Sequence, residues 1–382
     1  MKTILYLHAG AEMYGADKIL LELVTGLDPK KYRPIVVLPT DGVLKKALLD
    51  HGIETYVVSY PILRRKYFNP KGIWQYATTY LKGCKQILQL LADKEISVDI
   101  IHINTTAVLE GIYLRKKLRA KLVWHVHEIL LKPKVVANFI HGLVKRYSDQ
   151  VVVVSKAVRD HLVTAGIPAN KIQVIYNGID TKRFKPGYDV QYLYDEWAVP
   201  ADAIKIGMIG RVNAWKGQDD FLAAIKELLK HPNYHFFIIG SAFSGQEWQV
   251  TELNQKINQL PGHERIHYSP YRKDTAELDD FFDLLVLPST NPDPLPTVVL
   301  EAMSSGTPVV GYNHGGVTEM VEDGESGFLA EVRNPIDLAG KIQLAVDTGV
   351  IDLGQAARQR VLNHFSQQNF ISKFEHLYQK LS

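Results

Sequence analysis

The chain has one cysteine, Cys84, in 382 residues. A single thiol excludes a disulfide framework and a cysteine-rich metal site, and it fits a reducing, cytoplasmic setting. No apolar run approaches the roughly 20 residues that cross a bilayer. The opening Met1–His8 is too short to be a secretory h-region and reads as a strand. A GxGxxG fingerprint and a P-loop are both lacking, which disfavours dinucleotide binding and P-loop nucleotide hydrolysis. There is no recognised nucleic-acid motif, no repeat at a solenoid period and no low-complexity segment. At this length one core is insufficient, and two domains of about 180 residues each are expected.

The charged fraction of 22% is ordinary, but net charge is small and unevenly placed. The formal net charge is +3. Residues 1–185 hold 29 Lys+Arg against 15 Asp+Glu, which leaves 15 against 26 in the remainder. Such a split points to an anionic surface or ligand near the first half, or to attraction between the domains. The basic groups there are Lys30, Lys31 and Arg33, then Arg64 to Lys66, Arg115 to Lys117, and Lys132 with Lys134.

The first half alternates strand and helix patterns: strand Thr3–His8, a loop from Gly10 to Gly15, then an amphipathic helix Ala16–Leu27. Further strands are predicted over 33–38, 54–59, 98–103, 121–125 and 150–155. Helices are predicted over 43–51, 71–92, 105–118 and 135–147. This is the doubly wound α/β pattern, with a parallel sheet covered on both faces. Residues 182–200 read as a turn-rich linker. The alternation restarts at Ile204–Gly210 and runs through strands at 234–239, 266–268, 281–287 and 308–310. Helices at 335–348, 354–364 and 368–381 close the chain. Two tandem Rossmann-like domains facing each other across a cleft are expected.

Three stretches can carry chemistry. In Pro288 to Val310 a Pro-rich loop precedes a helix expected over 295–305, with Asp293 in the loop and Glu301 in the helix. A helix start at the carboxyl end of a buried strand offers N–H groups and a positive dipole end to an anion. In Gly210 to Gly217, Arg211 can fork two oxygens and Lys216 can add a point charge, which suits a diphosphate. In Trp124 to Glu128, His125 and His127 alternate and so share a face. That pair leaves three readings open: metal ligands with Glu128, structural histidines, or a histidine touching substrate. His314-Gly-Gly to Glu319 is a fourth, weaker feature, a glycine turn that permits close backbone approach.

Taken together and in this order, these motifs resemble the retaining glycosyltransferases of family 4, which have the GT-B fold. The likeness also covers Val152 to Val158, Ile175-Tyr-Asn-Gly-Ile-Asp180 with Phe184, Leu287 to Ser289, Glu301-Ala-Met303 and Gly315 to Val321. It implies an N-terminal acceptor-binding domain over 1–185, a donor-binding domain over 186–365, and a C-terminal helix over 366–382 that packs back on the first.

By the same resemblance, Glu301 would hold the ribose hydroxyls of a nucleotide. Arg211 and Lys216 would neutralise its diphosphate. His127 and Asp293 would touch the transferred sugar, and Gly15, Ala16, Gly210, Leu295, Pro296 and Thr297 would line the donor. Asp293 stands where the family usually has Glu, and Leu295-Pro296 replaces a Gly-aromatic pair, so the sugar is not fixed by these residues.

The implied reaction is metal-independent transfer from a UDP- or GDP-sugar to a saccharide or lipid-linked saccharide acceptor, in bacterial-type cell-surface polysaccharide synthesis. No cofactor and no metal are implied, because the cations take the metal's part at the leaving diphosphate. The expected location is cytoplasmic, peripheral at the inner face of the membrane, with an anionic lipid surface as partner. A nucleotide-sugar epimerase and a non-catalytic nucleotide-sugar-binding subunit remain the alternatives.

Overall fold

A computed structural model describes residues 1–13, 15–130 and 132–381. Tyr14 of the first glycine loop, Leu131, and Ser382 of the expected C-terminal helix lie outside the described residues. The chain forms two units, residues 1–178 with 367–382, and residues 179–366. Residues 179–185 thus join the second unit, earlier than the expected boundary. Ile179 N donates to the Phe365 carbonyl at 2.9 Å, and Ser304 Oγ donates to the Phe184 carbonyl at 2.6 Å. Those two bonds tie the segment to helices of the second unit.

The first unit holds seven strands: β1 (Lys2–Leu7), β2 (Tyr32–Leu38), β3 (Glu54–Val57), β4 (Ile100–Ile103), β5 (Lys121–Val126), β6 (Gln150–Val153) and β7 (Ile172–Val174). They lie in the order β3-β2-β1-β4-β5-β6-β7, all parallel. The second unit holds six: β8 (Ile204–Ile209), β9 (Tyr234–Ile239), β10 (Ile266–Ser269), β11 (Leu284–Leu287), β12 (Val309–Tyr312) and β13 (Gly327–Ala330). Their order is β10-β9-β8-β11-β12-β13, again parallel. Both are Rossmann orders, with the chain reversing direction across the sheet between β1 and β4 and between β8 and β11. Ligands bind at the carboxyl ends of strands at such switch points.

The strands are near-continuous apolar runs because both faces are covered by helices. Ile4 to Leu7 and Leu284 to Leu287 are buried throughout. The C-terminal helix Gln367–Lys380 belongs to the first unit, whose core receives its Phe370, Phe374, Leu377 and Tyr378. Tyr378 Oη lies 3.0 Å from Tyr6 Oη and 2.7 Å from His102 Nδ1, so its buried hydroxyl is satisfied. Gly26 permits the approach: a Cβ there would sit 1.8 Å from the Ile371 side chain.

Several expected elements change. A helix, Gln191–Trp197, occupies the predicted linker, and helix Lys156–Thr164 was not foreseen. The latter buries only Val158 and Leu162, too few positions for a clear period. Helix Glu110–Leu118 begins five residues later than expected. The Glu128 carboxylate draws Thr105 and Thr106 into a turn by accepting from both hydroxyls. The helix expected from Leu295 starts at Thr297, because Pro296 takes an extended conformation as its cap.

Candidate active site

The second unit places its chemistry at the β8/β11 switch point. The loop after β8 carries Arg211 and Lys216, and the loop after β11 carries Asp293. Asn213 Oδ1 accepts from Trp215 N at 3.1 Å and Lys216 N at 2.9 Å, an Asx turn that fixes the loop ahead of helix Gln218–Leu228. Gly217 is required at the join. Its φ is +87°, and a Cβ would lie 1.8 Å from the Pro288 carbonyl oxygen. Thr290 N donates to the Trp215 carbonyl at 2.8 Å, which laces the two loops together.

Lys216 Nζ meets Asp293 Oδ2 at 2.6 Å, and both side chains are about 15% exposed. The residues singled out in separate stretches of the sequence are therefore one ion pair. An ammonium has three donors, so this contact leaves donor capacity for a second anion. The Arg211 guanidinium stacks 3.6 Å above the Phe243 ring, a cation–π contact that holds its plane. Gly315, with φ of +64°, lets the turn after β12 pass against the Asp293 backbone, and Gly316 N donates to the Asp293 carbonyl at 2.8 Å.

Helix Thr297–Ser305 follows directly, with Leu295 and Pro296 buried before its first turn and Glu301 buried in its second. Gly306 closes it in the left-handed region, φ +86°. Behind it, burial raises the Asp279 carboxyl well above the usual carboxylate range, and the negative charge of Glu301 adds to the rise. Neither carboxyl oxygen of Asp279 has a hydrogen-bond partner among the described residues. No sequence feature marked this acid, which falls in an ordinary amphipathic helix, Thr275–Phe281.

In the first unit the corresponding position is built from residues that end strands. His8 follows β1, Asn104 follows β4 and His127 follows β5, three adjacent strands of the sheet. His127 Nε2 lies 3.1 Å from Asn104 Oδ1, and Asn104 Nδ2 lies 3.1 Å from His8 Nδ1 and 3.3 Å from the Ala16 carbonyl. His8 Nε2 lies 2.5 Å from Asp17 Oδ1. The helix carrying Gly15, Ala16 and Asp17 spans Gly15–Gly26, so the expected pair Gly15 and Ala16 is brought to His127 through Asn104. Burial pushes the His127 imidazole down to about 3, and the nearby His8 acts in the same direction.

His125 and His127 do share a face, with ring centroids 4.0 Å apart. They differ in depth. His125 is fully buried against His102 and Phe374, whereas His127 is partly exposed. Among the described residues no group of three or more His, Cys, Asp or Glu side chains is placed to hold a metal ion. Glu128, the third residue of that motif, instead accepts from Thr106 N and His127 N. Sequence reading missed His8, Asn104 and Asp17. Their one signal is position, a polar residue directly after an apolar strand or in the first turn of the following helix.

Gly15, Ala16 and His127 thus gather in the first unit. Gly210, Arg211, Lys216, Asp293, Leu295, Pro296, Thr297 and Glu301 gather in the second.

Comparison with known proteins gives a consistent result. The model of Glycosyltransferase Family 4 matches residues 13–183, and that of Glycosyl transferases group 1 matches residues 193–360. A D-inositol 3-phosphate glycosyltransferase from Corynebacterium kroppenstedtii is 29% identical over 238 residues, 60% of this chain and 52% of that protein. The match thus spans about half the length of that relative. An N-acetyl-alpha-D-glucosaminyl L-malate synthase from Bacillus anthracis is 26% identical over 321 residues, 81% of each chain.

Among solved structures, Anabaena Alr3699/HepE in complex with UDP is 27% identical. It matches over 100% of both chains with a TM-score of 0.86. The same Anabaena protein is also solved with UDP-glucose, at a TM-score of 0.83. Two Rossmann-like units with the family's motifs at their switch points, tiled by both family models, lead to one conclusion. The chain belongs to the family 4 glycosyltransferases, with the GT-B fold.

Proposed function

We propose that this chain is a retaining, metal-independent glycosyltransferase that moves a sugar from a nucleotide diphosphate donor to a saccharide acceptor. The observation that carries the reading is the Arg211, Lys216 and Asp293 constellation at the β8/β11 switch point, one turn ahead of helix Thr297–Ser305. Breaking an anomeric bond puts negative charge on the leaving diphosphate and positive charge on the sugar. Arg211 and Lys216 stabilise the first charge without rearranging, and the helix start adds its positive dipole end. Glu301 holds the ribose, Asp293 and His127 meet hydroxyls of the sugar, and the acceptor attacks from the face that the diphosphate leaves. In that geometry no separate base is required.

A UDP-sugar is favoured over a GDP-sugar as donor, since the Anabaena structures hold UDP and UDP-glucose. The first unit takes the acceptor. Its basic surface supports a lipid-linked saccharide and peripheral attachment to an anionic membrane in cell-surface polysaccharide synthesis. Arg115, Lys116, Lys117, Arg119, Lys121 and Arg146 border one hollow of about 940 Å³, in which Asp149 is the one acid. No helix among the described residues is long and apolar enough to cross a membrane.

The test is transfer and donor hydrolysis by the isolated protein with a panel of nucleotide sugars. The paired substitution Arg211→Ala, Lys216→Ala should abolish both while the fold persists. Full activity in that double variant sinks the reading. Vesicle binding that ignores both anionic lipid and salt sinks the membrane part.

A further inference from the structure

The polar residues at the ends of β1, β4 and β5 form a chain whose direction is fixed. Asn104 decides it. Its Nδ2 lies 3.3 Å from the Ala16 carbonyl, which can only accept, so the amide nitrogen must point to that side. The same nitrogen lies 3.1 Å from His8 Nδ1, which must therefore offer a lone pair. His8 then carries its proton on Nε2 and donates it to Asp17 Oδ1, 2.5 Å away. On the other side, Asn104 Oδ1 faces His127 Nε2 at 3.1 Å and can only accept, so His127 Nε2 carries the proton. Turning the amide over would set its oxygen against the Ala16 carbonyl. Each link is buried: His8 is 2% exposed, Asn104 0% and Asp17 6%.

We propose that Asp17, His8 and Asn104 act as positioning residues that lock His127 as the Nε2–H tautomer, leaving its Nδ1 as a hydrogen-bond acceptor for a sugar hydroxyl. The inference deepens the proposed function and rests on it for the identity of the ligand. The tautomer itself does not. With its one ring proton committed to Asn104, His127 has a lone pair to offer and no proton to give. The ring then selects a hydroxyl that donates and discriminates against a donor sugar in which that hydroxyl is replaced by hydrogen or by an ether. His127 is the only member of the chain that is partly exposed, as an end facing ligand must be. Its low basicity keeps it neutral across the working pH range.

The arrangement also assigns the acid at the far end. Asp17 sits in the first turn of its helix, where a carboxylate is favoured by the helix dipole, and it anchors the His8 proton. This is the logic by which a carboxylate fixes the tautomer of a functional histidine, drawn out over two intermediate side chains.

The tautomer is read directly by nitrogen-15 NMR of the imidazole rings in the full-length protein at pH 7. His127→Gln and His8→Gln identify the two signals by their loss. An Nε2–H tautomer for both rings is expected. A protonated Nδ1 on either ring, or a cationic His127, overturns the proposal whether or not the protein transfers sugar.

Function is read with Asn104→Leu, which removes both amide groups at similar volume. A panel of monodeoxy UDP-sugars is compared in the wild type and the variant. In the wild type one deoxy analogue should lose about tenfold in kcat/KM, the worth of one hydrogen bond. Asn104→Leu should erase that difference and leave UDP affinity unchanged. Asn104→Asp, which keeps an acceptor toward His127 Nε2, should restore part of the discrimination. Discrimination that survives in Asn104→Leu overturns the positioning role. Absence of UDP binding in the wild type would instead overturn the proposed function, and leaves the NMR result standing.

Discussion

The two units present the same strand order and the same switch point, yet fill it with opposite chemistry. In the first unit the ends of β1 and β4 carry His8 and Asn104, both buried. In the second, the loops after β8 and β11 carry Arg211, Lys216 and Asp293, all ionic. Net charge runs the other way. The first unit holds 28 Lys+Arg against 15 Asp+Glu, and the second 16 against 26. The basic unit thus ends these strands in His8 and Asn104, and the acidic unit carries Arg211 and Lys216 after its own. Topology decides where a site is, and a few residues after the strand ends decide what it does. The bulk charge belongs to the rest of the surface.

The contrast can be broken at four points. The largest effect should come from Phe374→Ala, which empties a fully buried position where the C-terminal helix meets His102 and His125. A loss of about 3–5 kcal/mol is expected. Thermal or urea unfolding should show it in the first unit while UDP still protects the second. Simultaneous loss in both units would mean that they do not unfold separately.

Lys216→Ala should come next, with kcat lowered about 10²- to 10³-fold, the worth of one preorganised donor at a developing anion. Unfolding should stay close to wild type in that variant, because the pair it breaks with Asp293 is not fully buried. A stability loss that matches the activity loss would make Lys216 structural.

Third is Glu110, fully buried in the first unit, whose carboxyl is pushed up to about 8 by burial. It is folded in as the protonated acid. Its contribution is complete below the unfolded value near 4.5 and is lost as pH rises toward 8. Glu110→Gln should flatten that decline and add about 2 kcal/mol at pH 8, seen in denaturant titrations at several pH values. An unchanged pH slope would show that Glu110 ionises freely in the fold.

The smallest effect is Asp293→Glu. One added methylene should shift kcat/KM between two donor sugars by about tenfold, measured by competition. No shift in preference would remove Asp293 from sugar selection and leave it as the partner of Lys216.

Much of this was legible beforehand because it rests on local pattern. The buried strands read as apolar runs, Gly306 ended its helix, and the loop from Gly210 to Gly217 announced its two cations. Strand β13 was harder, because it follows a turn in a segment with no period of its own. Lys216 and Asp293 were each singled out, but 77 positions of sequence separate them, and nothing local says that they touch. His8, Asn104 and Asp17 were not singled out at all. A polar residue after a strand is common, and only the side-by-side order of β1, β4 and β5 aligns these with His127.

By itself, the sequence determined the class of fold, the alternation that builds two parallel sheets, and the residue types offered after each strand. Those follow from hydrophobic period, turn chemistry and side-chain character, all of which act over a few neighbouring positions. The tertiary structure alone decided which offered groups meet. It paired Lys216 with Asp293, buried Asp279 behind Glu301, and directed the hydrogen bonds from Asp17 to His127. Those outcomes depend on strand order and on which carbonyl lies beside which amide, quantities that exist only once distant segments have packed.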